Sequence, residues 1–256
     1  MTYFSYDGTF TGLLAAIFEV YERKTYEANI INKKLLSPLI FDEIVDVVND
    51  NEKSKRVYNG LKDKLSQQGM KKFYFTFLSE LPLVENLLLK FAQTVFASKT
   101  SVEQDFGNPT ILEITKIAKR VHREKHRFEA FVRFENIGNQ LFFANINPDF
   151  NVLPILIPHF KNRYSSQDWV IYDTKRNYGV NYNSTNQEIN EVLIQPCSIK
   201  SDAIAVNIDL DPEEKLFQAL WKNYFKNTNI ESRKNTKLHI QHVPKRYWKY
   251  LPEKQI

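Results

Sequence analysis

Two stretches of this 256-residue chain concentrate positive charge. Between Lys116 and Arg133, seven basic side chains (Lys116, Lys119, Arg120, Arg123, Lys125, Arg127, Arg133) stand against Glu124 and Glu129. Between Lys222 and Lys249, eight more (Lys222, Lys226, Arg233, Lys234, Lys237, Lys245, Arg246, Lys249) stand against Glu231 alone. The stretches carry +5 and +7, and the net charge is +5, so the rest of the chain carries −7. Cations gathered on an otherwise acidic chain point to a surface that meets a polyanion. The run Lys245-Arg246-Tyr247-Trp248-Lys249-Tyr250 alternates charge with rings. Cations hold phosphates and ring faces stack on bases. The competing reading of the rings is core packing, with Trp248 anchoring the tail.

A second set of polar residues lies inside apolar segments: Arg133, His159, Arg163, Asp173 and Arg176. Burying such groups unpaired is costly, so they are expected to pair with one another or with a ligand in a pocket. Asp7, His159 and Asp173 are the acid–base candidates. In an enzyme acting on a flipped nucleotide, Asp173 or Asp7 would serve as base and His159 as acid or orienting group. Carboxylates at turns also serve as caps and ion-pair partners, so that enzyme stands as the alternative to a binding protein.

Other chemistries lack their residues. The chain has no GxSxG, P-loop or GxGxxG. Its one cysteine, Cys197, cannot supply an internal disulfide, an iron–sulfur cluster or a CxxC pair. His122 and His126 are one helical turn apart, but a zinc-protease helix needs Glu directly after the first His, and here Arg123 follows. His239 and His242 have no cysteine partner. Neither a metal nor a cofactor is therefore expected.

These residues need elements to hold them. Thr2–Tyr6 is predicted as a strand, turned by Asp7-Gly8, with Thr9 capping a helix through Arg23. Further helices are predicted over Leu39–Val48, Ser54–Leu65 and Val84–Phe96. Lys72–Phe77 is left as strand or helix turn, and Ser98–Pro109 as a loop. A helix over Thr110–His126 buries Ile114, Ile117, Ala118 and Val121 and turns Lys116, Lys119, Arg120, Arg123 and Arg127 to the other side. Ala130–Glu135 and Leu141–Ile146 then read as a hairpin, Pro154–Tyr164 as a helix, and Asp168–Asp173 with Tyr178–Tyr182 as a second hairpin. The expected fold is α+β: an antiparallel four-stranded sheet, two hairpins around a helix, with several packed helices. Gln187–Ser201 is poorly patterned. Asp211-Pro212-Glu213 starts a helix to about Asn227 with Leu216, Leu220, Trp221 and Tyr224 inward, and Pro244 opens a last short helix.

The composition, 43% apolar with 25% charged residues, is that of a globular protein. A mainly helical region over residues 1–100 and an α+β region over 101–256 with a basic tail are expected, or else one domain. No signal peptide and no apolar run long enough to span a bilayer is visible, so a cytoplasmic protein without membrane contact is expected.

Several segments together resemble a bacterial family of unknown activity labelled "probable DNA metabolism protein". They are Tyr6-Asp7-Gly8-Thr9-Phe10-Thr11-Gly12-Leu13-Leu14; His126 with Ala130-Phe131-Val132-Arg133-Phe134; Asn151-Val152-Leu153-Pro154 with Pro158-His159-Phe160 and Arg163-Tyr164; and Trp169 with Tyr172-Asp173, Arg176 and Tyr178-Gly179. Toward the end come Leu220-Trp221, Tyr224-Phe225, Arg233-Lys234-Asn235, Pro244-Lys245-Arg246-Tyr247-Trp248 and Leu251-Pro252-Glu253. The family is typically encoded beside a radical-SAM protein associated with DNA repair, and in some bacteria is fused to a uracil-DNA-glycosylase-like domain. The resemblance implies a DNA-binding protein of DNA repair or modification acting with that radical-SAM partner, which would supply the thiolates this chain lacks. It carries over no catalytic residues. The expected phosphate contacts are Lys116, Lys119, Arg120, Arg123, Arg127, Arg133, Arg163, Arg176, Arg233, Lys234, Lys245 and Arg246, with Lys237 beside them. A protein adaptor without DNA contact is the third alternative.

Overall fold

The computed structural model describes residues 2–25, 27–35, 43–138, 140–193, 213–228 and 235–254. Cys197, the Asp211-Pro212 helix start, Arg233 and Lys234 lie outside the described residues. The chain forms two compact units, Met1–Arg123 and Glu124–Ile256.

In the first unit β1 (Thr2–Tyr6) is the middle strand of a three-stranded sheet, parallel to both β2 (Ala28–Asn32) and β3 (Glu43–Asp46). Parallel neighbours need a long crossover. Here α1 (Phe10–Glu22) carries the chain from β1 to β2. Thr9 caps α1, its hydroxyl accepting from Gly12 N at 3.0 Å, as the sequence predicts. Leu13, Leu14, Ala15, Ala16, Ile17 and Val20 of α1 are all buried, packed among α2 (Asn51–Lys64), α3 (Gln67–Phe77) and α4 (Val84–Ala97). Phe4, Leu61, Phe73 and Phe91 complete this core, each such side chain contributing about 1.5–3 kcal/mol by burial. The helix expected over Leu39–Val48 is corrected: of its described residues, Glu43–Asp46 form β3, whose side chains stay largely exposed at a sheet edge. Lys72–Phe77 is helical, because Ser66 caps α3 at Gly69 N.

A 23-residue helix, α5 (Pro109–Phe131), passes through the division between the units. The second unit holds a five-stranded mixed sheet in the order β4 (Glu135–Asn136), β5 (Leu141–Ile146), β6 (Asp168–Asp173), β7 (Tyr178–Asn183), β8 (Glu188–Val192). The expected four-stranded antiparallel sheet is thereby overturned. Ala130 and Phe131 belong to the end of α5, which leaves a two-residue β4 for the first hairpin. β5 and β6 pair in parallel, Phe143 opposite Val170, since α6 (Leu153–Arg163) returns the chain to the same end of the sheet. Tyr178–Asn183 pairs antiparallel to β6, as the second hairpin requires, and β8 adds an unforeseen fifth strand.

Beyond the sheet lie α7 (Glu214–Thr228), α8 (Thr236–His242) and two 3-10 turns, Lys245–Tyr250 and Pro252–Lys254. The inward face expected for α7 is also corrected. Leu216, Leu220 and Tyr224 are more than half exposed. The row Glu214, Gln218, Trp221 and Phe225 makes the contacts instead: Glu214 accepts from Asn136 N, Gln218 donates to Glu135, Trp221 Nε1 donates to Glu253 at 2.9 Å, and Lys254 lies over the Phe225 ring. Among the described residues no helix is long and apolar enough to cross a membrane.

Candidate nucleic-acid interface

Asn108 accepts from Thr110 N at 2.9 Å and Pro109 takes the first helical position of α5, both favourable where the backbone N–H groups have no helical partner. Ile111, Ile114, Ile117, Ala118 and Val121 are buried along one side. Lys116, Lys119, Arg120 and Arg123 are exposed on the other, and Arg127 is half-buried. At 100° per residue these five cations fall within an arc of about 100° and span about 16 Å of helix axis. Among the described residues no carboxylate pairs with Lys116, Lys119 or Arg123. The result is a cationic stripe in which Lys116, Lys119 and Arg123 keep their charge without a carboxylate partner among the described residues.

Other predicted phosphate contacts are matched inside the second unit. Arg246 bridges Glu124 and Asp149 and lies 4.6 Å from the centre of the Tyr247 ring. Glu124 is 3% exposed and also accepts Asp149 N at 3.0 Å and Phe150 N at 2.8 Å. Burial works against the Arg246 charge, but hydrogen bonds to Tyr247 and Asp149 and the charge of Glu124 hold its pKa above the ordinary range. Arg127 lies 5.9 Å from the same Tyr247 ring. Arg133 pairs with Glu253 at 3.2 Å and donates to the carbonyls of Ala130 and Val132. Arg163 is exposed at the end of α6, over Tyr164, and Lys245 is exposed beside Trp248. Lys237 is exposed on α8.

The acid–base candidates are divided between the units, His159 and Asp173 in the second and Asp7 in the first. Asp173 ends β6 with no exposed surface. Its Oδ1 accepts Lys175 N at 2.9 Å and Arg176 N at 3.3 Å, and its Oδ2 accepts Arg176 Nη1 at 2.9 Å. Burial pushes this carboxyl above the usual range, against the pull of Arg176. Arg176 and Lys175 reach on to the Pro148 and Asp149 carbonyls, so the group clasps the loop between β5 and α6. A general base must reach its proton, and an enclosed carboxylate with both oxygens occupied is arranged to hold a turn. His159 Nδ1 lies 3.8 Å from Glu129, and its buried Nε2 has no hydrogen-bond partner.

Asp7 belongs to the first unit, just beyond the carboxyl end of the central strand and before α1. It accepts from Thr9 N at 2.9 Å, Thr9 Oγ1 at 2.7 Å and Asn49 Nδ2 at 2.9 Å. Against burial, which would raise it, these donors hold the Asp7 carboxyl below the ordinary range. Asn49 comes 42 residues later and carries no local pattern, so nothing in the sequence joins it to Asp7. Among the described residues no three His, Cys, Asp or Glu side chains gather as a metal site.

The fold and this cationic helix define a two-unit α+β protein with a basic stripe. Residues 82–253 match a domain of unknown function, DUF4130, and the chain belongs to that family. No curated protein and no solved structure matches the chain.

Proposed function

We propose that this protein binds DNA in a repair or modification process, with the exposed face of α5 holding the phosphate backbone. The observation that carries the reading is the set Lys116, Lys119 and Arg123, exposed on one helix face and free of carboxylate partners among the described residues. Like charges close together on a helix repel, so such a face is favoured when an external polyanion neutralises it. The resemblance to the DNA-metabolism family supports the choice of DNA, and the adjacent radical-SAM protein is the partner it implies. A cytoplasmic location goes with this reading.

The test is fluorescence anisotropy of a labelled duplex with the parent protein and with a Lys116→Glu, Lys119→Glu, Arg123→Glu variant. Weaker binding by the variant at unchanged Tm supports the proposal. Equal binding by the two proteins, or no binding by either, overturns it.

A further inference from the structure

A cavity of about 850 Å³ lies in the second unit, where α7 faces the β4 edge and the end of α6. That volume is in the range of small-molecule sites. Phe134, Tyr164, Trp169, Phe217 and Trp221 contribute rings to its wall. Phe134 stands edge-on to Tyr164 at 5.3 Å, with Trp169 at 6.2 Å. Trp169 is 1% exposed and its Nε1 has no hydrogen-bond partner, a donor left over in an otherwise packed wall. Polar groups are grouped on the α7 side. Gln218 Nε2 bridges Glu135 at 3.3 Å and Glu214 at 3.2 Å. Burial, and then the charge of Glu214, pushes the Glu135 carboxyl upward. Arg163 is exposed at the margin.

Each feature selects for part of a ligand. Ring walls favour a flat ring over an aliphatic chain. Two close carboxyl groups accept hydrogen bonds, and so ask for ring N–H or amino donors. Arg163 is matched to an anionic end, preferably phosphate, whose geometry a guanidinium fits. A basic peptide side chain would satisfy the carboxyls but offer Arg163 no anion.

We propose that this cavity takes one unpaired nucleotide, its base between the aromatic rings with its donor edge at Glu135 and Glu214, and its phosphate at Arg163. The nucleotide's origin in DNA rests on the reading above, while the pocket chemistry does not.

Two probes separate the claims. The first is 2-aminopurine deoxynucleoside monophosphate, whose fluorescence is quenched on stacking. The second is a duplex carrying one bulged 2-aminopurine, compared with the same duplex abasic at that position. The expected results are quenching of both fluorophores and about tenfold tighter binding of the bulged base than of the abasic duplex. Phe217→Ala, at a mostly exposed position where folding is little affected, should abolish both effects and leave binding of fully paired duplex unchanged. Quenching of the free nucleotide without any duplex binding upholds the cavity and overturns only the DNA reading. Duplex binding with equal affinity for bulged and abasic sites and no quenching overturns the nucleotide site alone.

Discussion

Arg246 offers a separation between holding DNA and holding the fold. The sequence groups it with the phosphate contacts, whereas its guanidinium bridges buried Glu124 and exposed Asp149. Replacing it by Met leaves Glu124, 3% exposed, without its counter-charge. Removing one partner of a fully buried pair costs roughly 3–5 kcal/mol. Here Glu124 keeps two backbone donors and Arg246 borders solvent, so the expected loss is about 2 kcal/mol. For a chain of this size that lowers Tm by about 4–8 °C. The assay is thermal unfolding followed by circular dichroism, with duplex binding measured on the same samples below the transition. An unchanged Tm accompanied by weaker DNA binding would refute the reasoning and return Arg246 to the phosphate contacts.

Arg176→Met should be more damaging, by about 3–5 kcal/mol at pH 7, because Asp173 is wholly enclosed; its deficit in urea midpoint should shrink as the pH falls and the stranded carboxyl takes up a proton. Glu129 follows the opposite course. Against burial, Lys125 and then His159 and His126 hold its carboxyl below the ordinary value of 4.5, so its contribution is present above that pH and is lost as the pH falls through the lowered value. The difference in urea midpoint between the parent and Glu129→Gln should therefore narrow between pH 7 and pH 3.5, and a constant difference would show that the ion pair does not contribute. Gly12→Ala should destabilise the first unit, although alanine for a helix glycine ordinarily stabilises, since a Cβ there would lie 2.1 Å from Asp7 Oδ1; a variant with parental or higher Tm would contradict that close approach.

Local signals carried much of the element order. Thr9, the turn at Gly8 and the apolar run behind them mark β1 and α1, and the 3.6-residue period of Ile114, Ile117, Ala118 and Val121 is enough to place the α5 cations on one face. Pairing was less legible. A strand, a helix and a strand in succession make a parallel crossover, and treating Leu141–Ile146 and Asp168–Asp173 as members of separate hairpins hid it. Ala130-Phe131-Val132 reads as strand by residue type, but continuation of α5 from Phe128 outweighs that preference. The partners of Arg246 lie 122 and 97 residues away, and in the sequence Glu124 looks only like an acid interrupting a basic run. Of the apolar residues of α7 at helical spacing only Trp221 lies on the contacting row, which it shares with Glu214, Gln218 and Phe225.

The most direct test of a phosphate-holding α5 is the salt dependence of duplex binding. If Lys116, Lys119 and Arg123 each displace a counterion, their joint replacement by Gln should make the slope of log K against log salt shallower by about 2.7, equal to about 40-fold of affinity change between 50 and 200 mM. The account predicts that difference in slope with no change in Tm. Identical slopes for the two proteins would contradict it.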